Sequence, residues 1–197
     1  MLGWATAAAG VALTVAGPTR ARISPARAGE PQFTADNRLI LPQNYREWIF
    51  LSSGLGMSYK PGASGPGAFT NVFVAPSAYR AFQATGRWPD RTMFVLEERL
   101  AASKGSINQG GHYQGALEGL AASVKDEKRF AEKWAYFSFS SNATTARANP
   151  KTACWDCHHA HGAVDNTFVQ FYPTLKGVAE KFGTYREEKT AGGPGVN

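Results

Sequence analysis

The sequence predicts an α+β domain, mainly an antiparallel β-sheet with a few short helices. Three observations carry this. Runs rich in β-branched and aromatic residues recur at strand length. Links rich in Gly, Pro, Ser and Asn separate them. The helical stretches are short, and no long amphipathic helix interrupts the strands. At 197 residues the chain suits one domain with a proper core. Its 43% hydrophobic and 18% charged residues are those of an ordinary globular protein.

Taken in order, Gln32 to Asn37 is polar and reads as a loose leader, and Leu39-Ile40-Leu41-Pro42 starts the ordered domain. Tyr45 to Leu51 reads as a turn of helix running into a strand, and Ser52 to Ala68 as a long Gly/Ser/Pro-rich loop. Phe69 to Val74 is a strand ended by Pro76, and Ser77 to Gly86 a short helix with an N-cap serine and a closing glycine. Thr92 to Leu100 is the clearest strand. A turn-rich link from Lys104 to Gly111 leads to His112 to Leu120, and Ala121 to Asp126 completes a further strand or sheet edge. Glu127 to Lys133 has helical composition, with Phe130 and Trp134 as its buried side. Trp134 to Ser140 alternates large and small residues like a half-buried strand. Ala163 to Asn166 is a turn, Thr167 to Leu175 fits helix and strand equally, and Leu175 to Phe182 reads as a terminal helix.

The chemistry concentrates in Cys154-Trp155-Asp156-Cys157-His158. Two cysteines two residues apart, followed at once by histidine, form the attachment signature of a c-type haem. Each thiol adds to one vinyl group on the porphyrin edge, and the adjacent imidazole then lies under the iron as its proximal ligand. The motif therefore implies one covalent haem c near the C-terminal part, with His158 as the metal ligand. Competing readings are a Cys154–Cys157 disulfide, half of a zinc site completed by His159 or His161, and a thioredoxin-like redox pair. Zinc would crowd its ligands, and Ala-Asn-Pro-Lys-Thr-Ala before Cys154 does not read as the strand a thioredoxin-like motif wants. Trp155 and Asp156 are spacers, and Phe168, Phe171, Tyr172 and Pro173 suit a haem cradle.

Ala5 to Ala16 is an uncharged apolar run too short to span a bilayer, followed by Ala26-Arg27-Ala28, a small-x-small cleavage pattern. The organisation read from this is a signal peptide over 1–28, a flexible leader over 29–38, a haem-binding domain over 39–185 and a disordered tail over 186–197. The mature protein is expected in the periplasm, with no membrane association after cleavage; the alternative is that the segment is retained as an uncleaved anchor. Residues 1–28 hold three arginines and no acids, so removing them takes the formal charge from +6 to +3. So small an excess, with no basic run and no aromatic interleaving, does not suggest a nucleic-acid surface.

Leu41 to Trp48, Gly119 to Asp126, and Cys154 to His158 with Phe168 to Pro173 downstream together resemble the cytochrome P-460 family. The resemblance runs from Leu39 to about Phe182. It implies a small periplasmic c-type cytochrome of mostly antiparallel β fold, usually homodimeric, with one five-coordinate haem and a redox partner that the residues do not name. Relatives divide into hydroxylamine oxidisers, with a lysine crosslinked to the porphyrin and a distal carboxylate, and a cytochrome c′-beta kind, with an apolar pocket that binds small gases such as nitric oxide. This chain departs from the oxidisers at both points. The lysine position falls on Leu96, and no lysine occurs between Lys60 and Lys104. The carboxylate position falls on Ala121, and an arginine of some members on Thr70.

Phe94, Leu96 and Ala121 are thus expected to line a dry pocket, Phe94 sharing the face of Leu96 by strand alternation. Such a pocket admits nitric oxide or carbon monoxide and disfavours charged ligands. Two alternatives stand beside it. Glu98, inward by parity with Leu96, or Glu118 would replace the missing base of an enzyme oxidising hydroxylamine or nitric oxide. Against this, Glu97 and Glu98 would both be solvated or paired with Arg87 or Arg99. Otherwise His112 would bind iron as a sixth ligand and make a pure electron carrier.

Overall fold

The computed structural model describes residues 29–58 and 65–187. The signal-peptide expectation, the middle of the Gly/Ser/Pro-rich loop and the end of the tail lie outside them. The architecture is the expected α+β arrangement. Five strands form one antiparallel sheet in the order β2 (Ile49–Leu55), β3 (Ala68–Val74), β4 (Met93–Ala102), β5 (Tyr113–Lys125) and β6 (Trp134–Phe139). A second, two-stranded sheet pairs β1 (Leu39–Ile40) with β7 (Thr145–Ala146). The helices are α1 (Pro76–Thr85), α2 (Lys151–His161) and α3 (Lys176–Lys181), with short 3-10 turns at Tyr45–Glu47 and Val169–Phe171.

The strands form where β-branched and aromatic residues alternate. β4, in the middle, opens with Met93, Phe94 and Val95, all nearly inaccessible. Phe94 is the hub of an aromatic cluster, with ring centroids at 4.8 Å from Trp88, 6.1 Å from Trp134 and 6.3 Å from Tyr172. Burial of each such side chain contributes about 2 kcal/mol. His112 to Leu120 and Ala121 to Asp126 merge into one long strand, β5, which lies between β4 and β6 instead of at an edge. Bulges after Glu98 and Arg99 let β4 follow its length.

Several local expectations are corrected. β2 continues to Leu55, four residues into the stretch read as loop. α1 starts at Pro76, whose fixed φ and missing N–H suit the first helical position, so Ser77 lies inside the helix and Ala75 caps it. Gly86 closes α1 in the left-handed region at φ 66°, its N–H donating to the Phe82 carbonyl at 2.7 Å. Glu127 to Lys133 is a closed loop, not a helix. The Asp126 carboxylate accepts the backbone N–H groups of Lys128 and Arg129, and Asp126 N–H reaches Lys133 O at 2.9 Å, which ties the two ends together. Helical composition loses there to side-chain capping of a turn. Trp134 is buried as expected, but as the first residue of β6.

Two residues of the leader over 29–38 pack against the domain. Pro31 is fully buried and its carbonyl accepts from Arg91, while Phe33 packs on Phe130 and Phe137. At the other end Arg186, expected to begin the disordered tail, donates to the carbonyls of His159 and Gly162 at 2.8 Å. A guanidinium at the C-terminus of α2 satisfies orphan carbonyls and complements the helix dipole.

Candidate functional site

One face of the five-stranded sheet forms the floor of a cavity of about 320 Å³. Because side chains alternate, most of the sheet residues lining it come from every second position, Ser52 and Gly54, Thr70 and Val72, Phe94, Leu96 and Glu98, Ala121 and Ser123, Tyr136 and Ser138, with Ala122 and Phe137 also bordering it. Register aligns them into rows across the sheet. Ser52 faces Val72, Val72 faces Leu96, Leu96 faces Ala121 and Ala121 faces Ser138. This middle row carries no ionisable group. The next row, Gly54, Thr70, Glu98 and Gly119, carries one.

Helix α2 and the segment after it form the opposite wall through Cys154, His158, Thr167, Phe168, Phe171 and Tyr172. Pro150 precedes the helix, and within it Cys154, Cys157 and His158 stand at positions i, i+3 and i+4, so all three share a face. All three are half-buried, and both cysteines are free thiols. Asn149 donates to the Cys154 sulfur at 3.4 Å. The His158 ring is held between Tyr136 and Phe168, with centroids at 4.2 and 4.4 Å.

The decisive contact is on the far side of that ring. His158 Nδ1 lies 3.0 Å from the backbone carbonyl of Asn166. A carbonyl only accepts, so Nδ1 carries the proton and Nε2 keeps its lone pair. Burial holds the imidazole below its ordinary pKa, which the Asn166 contact partly opposes, and this favours the neutral, ligating form. Burial also drives the neighbouring Tyr136 hydroxyl up, so it stays a neutral donor, reaching Asn166 O at 3.3 Å.

These residues fit a covalently attached haem. Two thiols and a neutral imidazole share one helix face, the imidazole is oriented through its other nitrogen as metal-bound histidines are, and an apolar-floored cavity adjoins them. Zinc fits less well, since among the described residues no group of three His, Cys, Asp or Glu side chains converges on a metal position.

The sequence model of the family Cytochrome P460 matches residues 42–169. The chain belongs to the cytochrome P460 family. It is accordingly a haem cytochrome, and haem is its cofactor. A search of curated proteins found no match.

Phe94, Leu96 and Ala121 all line the cavity, with Leu96 and Ala121 directly paired across strands. Thr70 lines it too. Glu98 is half-buried on its wall, whereas Glu97 turns to the other face and pairs with Arg46 and Arg99. Glu118 is exposed and borders a separate hollow with Leu41 and Phe139. His112 is exposed in the turn before β5 and does not line the cavity, so the geometry offers the six-coordinate alternative no ligand there. His159 stacks on Trp155 at 4.4 Å, on the outer side of α2. Sequence reasoning missed Ser52, Val72, Ser123 and Ser138, although alternation extended into β2 and β3 would have found some. It also missed the Asn166 carbonyl, a backbone group that no residue-type pattern marks.

Proposed function

We propose that the chain is a monohaem c-type cytochrome of the c′-beta-like kind, tethered through Cys154 and Cys157, with His158 as the only protein ligand to iron. When bound, the haem supplies an iron with one open coordination position, at which a small neutral molecule such as nitric oxide or carbon monoxide can bind. The chain's own part is to exclude charge and water from that position. What carries the reading is the middle row of the sheet, where Val72, Leu96 and Ala121 present hydrocarbon and Ser52 and Ser138 are the only polar members. Such a floor has no ionisable base to accept protons from an oxidised substrate and no charged group to anchor an anion. Export to the periplasm and a homodimeric state belong to the same reading. No helix among the described residues is long and apolar enough to cross a membrane.

Spectra of the ferrous protein with and without carbon monoxide test it. A high-spin spectrum converted by the gas is the expected result. A low-spin spectrum indifferent to the gas, or intact mass showing no haem on the cysteines, overturns it.

One observation favours a second reading, an oxidase acting on hydroxylamine. Glu98 is on the cavity wall, and among the described residues no hydrogen bond or ion pair engages its carboxylate. Turnover of hydroxylamine with an electron acceptor, abolished by Glu98→Gln, would establish this reading in place of the first.

A further inference from the structure

Beyond that site, the turn that holds His158 has an anchor of its own. We propose that Lys125 and Asp165 form a positioning clamp that fixes the Asn166 carbonyl on His158 Nδ1 and so tunes how strongly this imidazole donates to the haem iron. The inference rests on the cytochrome reading above.

The clamp is built from groups far apart in sequence. Lys125 ends β5 and is only 8% exposed, an unusual place for an ammonium unless it is fully paired. Its Nζ donates to Asp165 Oδ2 at 2.6 Å and to the Trp88 carbonyl at 2.9 Å, and lies 3.4 Å from Glu127 Oε1. The other oxygen of Asp165 accepts Trp134 Nε1 at 3.2 Å. Both oxygens of one carboxylate are thereby pinned to the adjoining ends of β5 and β6.

Asp165 and Asn166 are the two central residues of a tight turn. Val164 and Thr167 pair on either side of it, and both central residues have positive φ, 46° and 61°. This is the backbone of a two-residue hairpin turn, which Asp and Asn enter more readily than other non-glycine residues. Pinning the first central residue therefore sets where the carbonyl of the second points, and it points at His158 Nδ1. The close approach is also built in from the helix side. A Cβ on Gly162 would stand 2.8 Å from the Asn166 carbonyl carbon, so only glycine lets the turn lie this near the end of α2.

A carbonyl hydrogen-bonded to the unligated nitrogen makes an imidazole a stronger donor and fixes its rotation. Stronger donation favours ferric over ferrous iron. Loosening the turn should therefore raise the reduction potential without removing the haem, a result that a merely structural ion pair would not give.

The test compares the haem-loaded parent with Asp165→Asn, which keeps the turn's backbone preference and removes the charge, and Asp165→Glu, which keeps the charge. In Asp165→Asn the haem content and far-ultraviolet circular dichroism should match the parent. Its iron redox equilibrium should shift up to tenfold toward the reduced state, which is about 59 mV for one electron, and the iron–histidine stretching band should move to lower frequency. Asp165→Glu should recover part of both changes. A folded, haem-loaded Asp165→Asn with parental potential and stretching band overturns the clamp. Should that variant fail to load haem, Trp134→Phe removes a single bond to Asp165, and the same comparison decides: a smaller shift in the same direction supports the clamp, and none overturns it. A parent without covalent haem fails the cytochrome reading itself and is recognised by an intact mass that shows no haem on the cysteines.

Discussion

Glu97 and Glu98 are neighbours on β4 that point to opposite faces of the sheet, and their surroundings differ in nearly every respect. Glu97 is 3% exposed and fully engaged. Tyr45 Oη donates to it at 2.5 Å, Arg46 through Nε at 2.9 Å and Nη2 at 2.7 Å, and Arg99 binds its other oxygen. Glu98 is half-buried on the cavity wall, and none of these cations reaches it. Burial alone would raise the Glu97 carboxyl, but the bonds from Arg99, Tyr45 and Arg46 outweigh it and hold the group below its ordinary 4.5. Burial and the Glu97 bond push Tyr45 up to about 12. One face of the sheet thus uses a carboxylate for stability, and the other leaves its carboxylate, the single one on that wall among the described residues, without an ion pair or hydrogen bond from them beside the floor where chemistry would occur. A polar group that folding leaves unengaged remains available to a ligand.

The largest effect should separate the cavity face from the charged face altogether. Cys154→Ser with Cys157→Ser, expressed under conditions that support cytochrome maturation, should lose essentially all covalent haem by intact mass, while the Glu97 cluster on the opposite face is untouched. A variant as red as its parent would break the division.

Next in size is Glu97→Gln, which leaves the shape but removes the charge that two guanidinium groups and a phenol address. A stability loss of about 2 kcal/mol is expected from urea unfolding. Its pH dependence gives a sharper check. A carboxyl held low in the folded state stabilises above its unfolded pKa, near 4.5, and that contribution disappears as pH falls through the lower folded value. The parent should therefore lose stability on acidification below about 4.5, and Glu97→Gln should lack this component. Tyr45 acts at the other end. Raised from 10.0 to about 12, it contributes fully below pH 10 and loses that contribution as pH climbs between the two values.

The smallest effect is predicted for Glu98→Gln, within about 0.5 kcal/mol of the parent, as for substitutions away from engaged buried features. A loss as large as that of Glu97→Gln would mean the two faces are not as different as their contacts indicate.

How far the sequence reaches is seen in the same strand. Alternation from Leu96 placed Phe94 and Glu98 on one face and Glu97 on the other before any coordinates, because a period of two is a local property of an extended backbone. The pairing of Glu97 with Tyr45 and Arg46 lies about fifty positions away in the chain and could not be read from it. The helix expected over Glu127 to Lys133 failed for a related reason. Composition reports average preference, whereas the Asp126 carboxylate closed that segment by specific bonds to backbone N–H groups. The leader over 29–38 looked loose because two apolar residues in a polar stretch carry little weight, yet Phe33 finds partners on β6 and the loop before it, and the Pro31 carbonyl accepts from Arg91.

By itself the chain determined the attachment motif, the sheet-rich class, the strand parities and its family, all of which depend on residue order over short spans. Tertiary structure alone decided that the motif's histidine would meet the Asn166 carbonyl, that Lys125 would hold Asp165, and that Glu98 rather than Glu118 would border the cavity. The first two contacts join α2, β5 and the turn after α2 across 8 to 40 residues. They exist only once burial of the apolar sheet face has brought these elements together, because hydrogen bonds act at contact distance while the drive to bury hydrocarbon selects which contacts can form.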